Sequence, residues 1–177
     1  IALIAGTIVG ILRTLPSKTA SWIGFGYVEF FRNMPLLVQL FLWFFVLPEL
    51  LPHAAGLWLK QLPDAPFWTA AIGVGLFMSA RVAVQLGAGI ASLPRGQKQA
   101  ATALGLTTGQ GYRYVLLPMA FRIILPPLTS EFLNTIKNTS VAITIGLIEL
   151  TGQARAMQEF SFQVFEAFTA ATVMYLL

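Results

Sequence analysis

Glu131, Asn134 and Asn138 recur at helical spacing, and Lys137 lies about 60° around the same helix from Asn134 at about 100° per residue. With Thr139 and Ser140 they give one continuous polar face in an otherwise apolar run. Such a face suits recognition rather than bond making: it can line a path for a zwitterion that must shed its hydration shell. A flexible ammonium with three donors suits a carboxylate, so Lys137 is the first candidate contact, unless it pairs with an acid on a neighbouring helix or a second subunit. Arg81, with Gln85 one turn further on, could grip a carboxylate through two parallel bonds, or it could pair with Glu131 or Glu166. Covalent chemistry has little to work with. There is no cysteine, His53 has no second histidine to join it, and no G-x-x-x-x-G-K-[ST] phosphate loop occurs, so catalytic and metal-ligating residues are both assigned as none.

The elements that carry these residues belong in lipid. Of the 177 residues 56% are hydrophobic and only 10% charged, against about 25% charged in a soluble domain. Glycine and proline are scattered through the apolar runs, as transmembrane helices tolerate. Long apolar runs without strict alternation exclude a β-barrel, so an all-α transmembrane fold is expected. Ionisable groups at membrane depth are costly and face cavities or partners. Glu29 and Arg32, three residues apart, can pair with each other on one helix face.

Five helices are expected in a single transmembrane domain over residues 1–177. The first ends at Leu12. The second runs from about Ala20 to Leu47 and breaks near Asn33 and Pro35, because a proline removes a helix hydrogen bond and biases the preceding residue out of the helix. Residues 48–66, with four prolines, read as an external loop in which Trp58 is an interfacial anchor. A third helix covers Phe67 to about Ser92, a fourth about Met119 to Val141, and a fifth begins near Gln163 after a semi-polar segment from Glu149 to Phe160. Both ends read as truncated: IALIAGTIVGIL supplies about 18 Å of helix against a hydrocarbon core of about 30 Å, and TAATVMYLL stops inside an apolar run. Arg13, Lys18, Arg95, Lys98, Arg113 and Arg122 then fall on one side, which the positive-inside rule makes cytoplasmic. The small residues Ala83, Gly87, Ala88 and Gly89 permit close helix approach at a moving interface.

Between the third and fourth helices stands a polar, basic insert, QAATALGLTTGQGYRYVLLP, from Gln99 to Pro118. An Ala-rich helix former leads to Gly105, a residue that readily takes the left-handed conformation that ends helices. Gly109 and Gly111 read as a second turn signal, and Leu117–Pro118 as the opening of the next helix. A short helix ended in this way is a rigid knob able to transmit force, with Leu104, Leu106, Tyr112 and Tyr114 as its packing anchors. The same stretch also looks like a helix-turn-helix, but so close to two membrane spans it could hardly reach a DNA major groove, and no nucleic-acid partner is expected.

The insert resembles the cytoplasmic loop of ABC importer membrane (permease) subunits, whose pattern is Glu-Ala-Ala, three residues, Gly, nine residues, then Ile, any residue, Leu-Pro. Here it reads Gln99-Ala100-Ala101, Gly105, then Val115, Leu116, Leu117 and Pro118, with every spacing kept. SLPRGQKQAA at 92–101 and FRNMPLLVQLFL at 31–42 are similar to the polar amino acid branch of that family. LPPLTSEFLNTIKNTSVA at 125–142 resembles the same branch and, within it, glutamate/aspartate permease subunits most. The chain departs from the pattern at Gln99, where the loop usually has Glu, and at Val84 and Gly87, where the third helix often carries Glu and Arg.

The resemblance implies a five-helix permease core in the bacterial cytoplasmic (inner) membrane, importing a polar, and by the closest likeness acidic, amino acid. The loop at about 93–117 would be a coupling helix seated on a separate ABC ATP-binding subunit. The chain itself would carry no cofactor, ATP and Mg being bound by that ATPase, and would not be an enzyme. A second permease subunit, in a homo- or heterodimer, and an extracytoplasmic solute-binding protein complete the implied assembly. Two other classes remain: an ion-coupled secondary transporter or channel whose intramembrane carboxylates carry protons or sodium, and a membrane-anchored docking protein that binds a cytoplasmic partner through the insert without moving solute.

Overall fold

The computed structural model describes residues 1–176, with the Arg95 side chain outside the described set. Among the described residues every regular element is helical. Helix α1 spans Ala2–Thr14 and ends where Pro16 holds Leu15 extended, at φ −63° and ψ 147°. Helix α2 covers Lys18–Asn33, and α3 resumes at Leu36–Phe41 beyond an extended Pro35. The interruption expected near Asn33 and Pro35 is therefore present. Helices α4 (Leu47–Leu50) and α5 (His53–Lys60) follow, then the long α6 (Ala65–Ala91), α7 (Arg95–Ala103), α8 (Thr108–Gly111) and α9 (Leu117–Asn138). Helices α10 (Leu150–Ser161) and α11 (Val164–Leu176) close the chain.

Among the described residues two helices are long and apolar enough to cross a membrane: Ala65–Ala91, and the continuous 38-residue helix Thr108–Ile145. The broken pair Lys18–Asn33 and Leu36–Leu50 makes a third if it counts as one span. The shorter apolar helices α1 and α11 have 13 residues each. These are the five apolar segments of the sequence, with three differences in extent. Residues 48–66 contain α5 rather than only a loop, and most of the segment from Glu149 to Phe160 is helical. The fourth helix begins at Thr108 instead of Met119, so Gly109 and Gly111 lie inside it and make no turn.

The reason for the last difference is a π-turn, of which the described residues hold two. Residues Leu42–Val46 and Tyr112–Leu116 are wound as π-helix, and each is followed directly by Leu-Pro. A proline cannot donate to the carbonyl four residues back, and its ring collides with it. In both places the residue before the proline donates five residues back instead, Leu47 to Leu42 and Leu117 to Tyr112. The widened turn lets the helix run through Pro48 and Pro118 without stopping.

Contacts group the chain into two compact units, Ile1–Asn33 with Met78–Phe132, and Met34–Phe77 with Leu133–Leu177. In the first, α1 packs on α2 and meets α6 through glycine. A Cβ placed at Gly6 would fall 2.5 Å from Val82 Cβ, and one at Gly10 2.9 Å from Leu86 Cδ2. Lipid tails are as apolar as leucine, so helices in a membrane associate by such close packing. Gly89 admits Ile124 in the same way, its Cβ position lying 2.5 Å from Ile124 Cγ2, and Leu86, Ala120 and Ile124 form the buried core there. In the second unit Leu40 is buried against Gly73. There Glu149 caps α10, accepting from the Thr151 and Gly152 N–H groups at 3.0 Å each and from the Tyr175 hydroxyl at 2.7 Å.

Candidate functional site

The insert forms a short helix fixed at both ends. Pro94 precedes α7, whose Gln, Lys, Ala and Thr residues are mostly good helix formers. Gly105 stops it at φ +75°: its N–H donates to the Thr102 carbonyl at 3.0 Å, and the Leu106 N–H donates back to Ala101 at 3.1 Å. This pair of bonds is the Schellman termination, and it needs the left-handed conformation that glycine takes at least cost. Only Leu106 then separates Gly105 from a capping box. Thr107 Oγ1 accepts the Gln110 N–H at 3.4 Å, while the Thr107 N–H donates to Gln110 Oε1 at 2.8 Å. The connector between α7 and the following long helix thus has its ends held by named hydrogen bonds.

The residues of the insert divide by face. Gln99, Ala100 and Leu104 point outward, Leu104 with 79% of its surface exposed. Tyr114 is also outward, 63% exposed, with the Arg113 guanidinium over its ring at 5.6 Å. Ala101 is buried and lies in contact range of Gly111, while Leu106 is half-buried. Tyr112 faces inward: it is 5% exposed, packs with Leu93 and Leu116, and its hydroxyl donates to Thr14 Oγ1 at 3.1 Å. Of the insert's candidate contact residues, Gln99, Ala100, Leu104, Gly105 and Tyr114 are therefore exposed, whereas Tyr112 is packed inward.

Arg81, Gln85 and Glu131 come together. Arg81 Nη1 lies 3.7 Å from Glu131 Oε2, and Gln85 Nε2 donates to Glu131 Oε1 at 3.4 Å. Glu131 is therefore a partner of Arg81, one of the two the sequence left open. The contact is long for a charge-assisted hydrogen bond, and the Arg81 side chain keeps 44% of its surface exposed. Close by in sequence, the buried Ser79 shares a 2.7 Å hydrogen bond with the Tyr27 hydroxyl, a polar pair that spacing alone did not single out.

Asn134, Lys137 and Asn138 occupy the last turns of α9. The backbone then tightens into a 3₁₀ stretch, Thr139–Ile145, ended by Gly146 at φ +86°. In that stretch Ser140 Oγ donates to the Lys137 carbonyl at 2.8 Å, so this hydroxyl serves the backbone. Lys137 is exposed, and among the described residues no ion pair involves it.

Gly87 explains one departure from the expected pattern in local terms. A Cβ there would lie 3.8 Å from Arg13 Nη1, so the guanidinium of Arg13, which also sits 4.6 Å over the Phe25 ring, approaches the position that a side chain at 87 would use.

The chain is similar to known transport proteins. The family described as "Binding-protein-dependent transport system inner membrane component" matches residues 2–177. The glutamate/aspartate import permease protein GltJ of Escherichia coli strain K12 is 50% identical over 180 residues, covering 100% of this chain and 73% of its own length. The probable glutamine ABC transporter permease protein GlnM of Bacillus subtilis strain 168 is 34% identical, over 98% of this chain and 76% of its own. A solved structure titled "Crystal structure of an amino acid ABC transporter with histidines" superposes with a TM-score of 0.79 at 29% identity, covering 99% of this chain and 77% of that one.

Proposed function

The chain belongs to the inner membrane components of binding-protein-dependent transport systems, and on that premise we propose that it moves acidic amino acids inward across the bacterial inner membrane, driven by ATP. It is an amino acid ABC transporter permease subunit, a membrane-embedded family whose members are not themselves enzymes. In our reading it forms the translocation path and pairs with a second permease subunit of the same or another kind. An extracytoplasmic solute-binding protein delivers glutamate or aspartate, and a separate ATPase binds ATP and Mg. Acidic cargo is supported by the 50% identity to the glutamate/aspartate import permease of Escherichia coli. It is supported too by two cations carried on the long apolar helices, Arg81 and Lys137, each with an amide side chain one turn or less away that can replace lost water.

The observation that carries the coupling role is α7 itself. Helix ends held by the Gly105 termination and the Thr107 capping box let a push on Leu104 or Gln99 pass into the helix that starts at Thr108 rather than dissipate in a loop. A neutral Gln99 in the outward surface makes that contact depend on shape and hydrogen bonding rather than on a carboxylate. The test is to reconstitute the full-length subunit with its co-purifying proteins and measure ATP hydrolysis with binding protein and glutamate added. Stimulation by glutamate and aspartate is expected. Absence of stimulation by any polar amino acid would end the importer reading, and stimulation by glutamine alone would end the acidic one.

A further inference from the structure

Three of the four tryptophans of the chain, Trp43, Trp58 and Trp68, line one groove of about 530 Å³. It is formed within the second unit by the π-turn Leu42–Val46, the α4–α5 pair and the start of α6. Apart from Thr69, the polar side chains in its wall are Glu49 and Lys60, joined by a 2.6 Å ion pair and both solvent-accessible. The α4–α5 hairpin that carries this pair is tight, because Gly56 packs directly on the Pro48 carbonyl and any side chain there would collide with it. The groove is therefore an aromatic trough with one positive and one negative charge paired in its wall.

We propose that this groove binds a glycerophospholipid with a zwitterionic ethanolamine headgroup, an acyl chain lying among the tryptophans and the headgroup on the charge pair. Three observations carry it. The trough opens outward through Trp58, Trp68, Phe45 and Ile72, all exposed. Tryptophan collects at headgroup depth, where its amphipathic ring has one end in hydrocarbon and the other in the polar layer. Lastly, Lys60 and Glu49 present a cation and an anion side by side, the complement of a phosphate and an ammonium on one headgroup. An anionic glycerol headgroup supplies the phosphate but no ammonium, and meets repulsion from Glu49.

The experiment uses the full-length subunit in its complex, delipidated and titrated by native mass spectrometry with phosphatidylethanolamine and phosphatidylglycerol of the same acyl chains. The ethanolamine lipid should bind about fivefold more tightly, the order expected for one headgroup charge contact. Glu49→Gln should erase the discrimination while leaving total lipid uptake intact. Lys60→Gln should weaken both lipids. As a second readout, brominated ethanolamine lipid should quench the indole fluorescence more than brominated glycerol lipid at equal mole fraction, and Trp58→Phe with Trp68→Phe should remove that excess. Equal affinity and equal quenching in the unaltered complex would overturn the proposal. So would absence of quenching by either lipid, which would mean that protein covers the groove.

Discussion

The Tyr112 hydroxyl donates to Thr14 Oγ1 at 3.1 Å, tying the segment just beyond the capped α7 to the last turn of α1. Thr14 Oγ1 also donates back to the Gly10 and Ile11 carbonyls, so the hydroxyl that receives Tyr112 is itself held in place. The bond joins the insert to a helix residue 98 positions away in sequence.

Tyr112→Phe removes that bond and little else. The net loss in stability should be about 1 kcal/mol, with the ring still packed on Leu93 and Leu116. The coupling ratio, amino acid moved per ATP hydrolysed in vesicles, should fall more than the melting temperature does. A variant with an unaltered ratio would show that the Thr14 contact only fastens the fold.

Gly105 and Leu104 separate shape from contact. Gly105→Ala puts a Cβ on a left-handed residue at a cost of about 1–2 kcal/mol and should loosen the end of α7. Leu104→Asp alters a side chain that is 79% exposed, so folding should be untouched. Both variants should lose substrate-stimulated ATP hydrolysis, and pull-down of the ATPase by the Leu104→Asp subunit should weaken. Normal stimulation with Leu104→Asp would place the ATPase contact elsewhere.

At the Gly89–Ile124 contact a methyl group has no room, since it would sit 2.5 Å from Ile124 Cγ2 and 3.3 Å from the Ala120 carbonyl. Gly89→Ala should therefore destabilise the unit by about 1–3 kcal/mol through overpacking. Ile124→Ala on its own should also destabilise, by leaving a cavity, yet the double variant should recover part of the loss. Strictly additive effects in thermal melts would mean that the two positions do not touch.

Lys137→Met should lower glutamate and aspartate uptake while the complex assembles normally, because Lys137 is exposed and joins no ion pair among the described residues. Unchanged uptake would take Lys137 off the path.

Arg81→Gln discriminates more finely. A fork that grips the side-chain carboxylate is worth at least about tenfold, about 1.4 kcal/mol, for glutamate over glutamine. If Arg81 serves only to hold Glu131, the double variant Arg81→Gln with Glu131→Gln should transport glutamate as well as the unaltered subunit. We expect it not to.

Sequence made the all-helical class and the five apolar segments legible, because lipid leaves the backbone few ways to satisfy itself. Gly105 was readable for a similar reason: an Ala-rich run that meets a glycine ends there, and it does so through the expected left-handed turn. Proline was the misleading signal. Pro35 does break the chain between α2 and α3, yet Pro48 and Pro118 pass inside helices because a π-turn precedes each. Nothing in the immediate dipeptide distinguishes the two behaviours. Gly111 misled likewise, since its smallness serves contact with Ala101 rather than a turn. A helix start at Met119 gives no inner face to Tyr112, because the phase of a helix can be read only from where it begins, and this one begins at Thr108. The Arg81–Glu131 contact was foreseeable as one option among several, and only geometry selected it.

A π-turn holds one residue more than the α-helix it interrupts, so every side chain beyond Tyr112–Leu116 is rotated by about 100° from where an unbroken α-helix starting at Thr108 would aim it. Glu131 and Asn134 take their azimuth from that surplus residue. Deleting one residue near Tyr114 would therefore close the π-turn to an α-turn and leave the stripe aimed as it is, whereas closing the turn without a deletion, as replacing Pro118 would permit, would swing the whole stripe by about 100°.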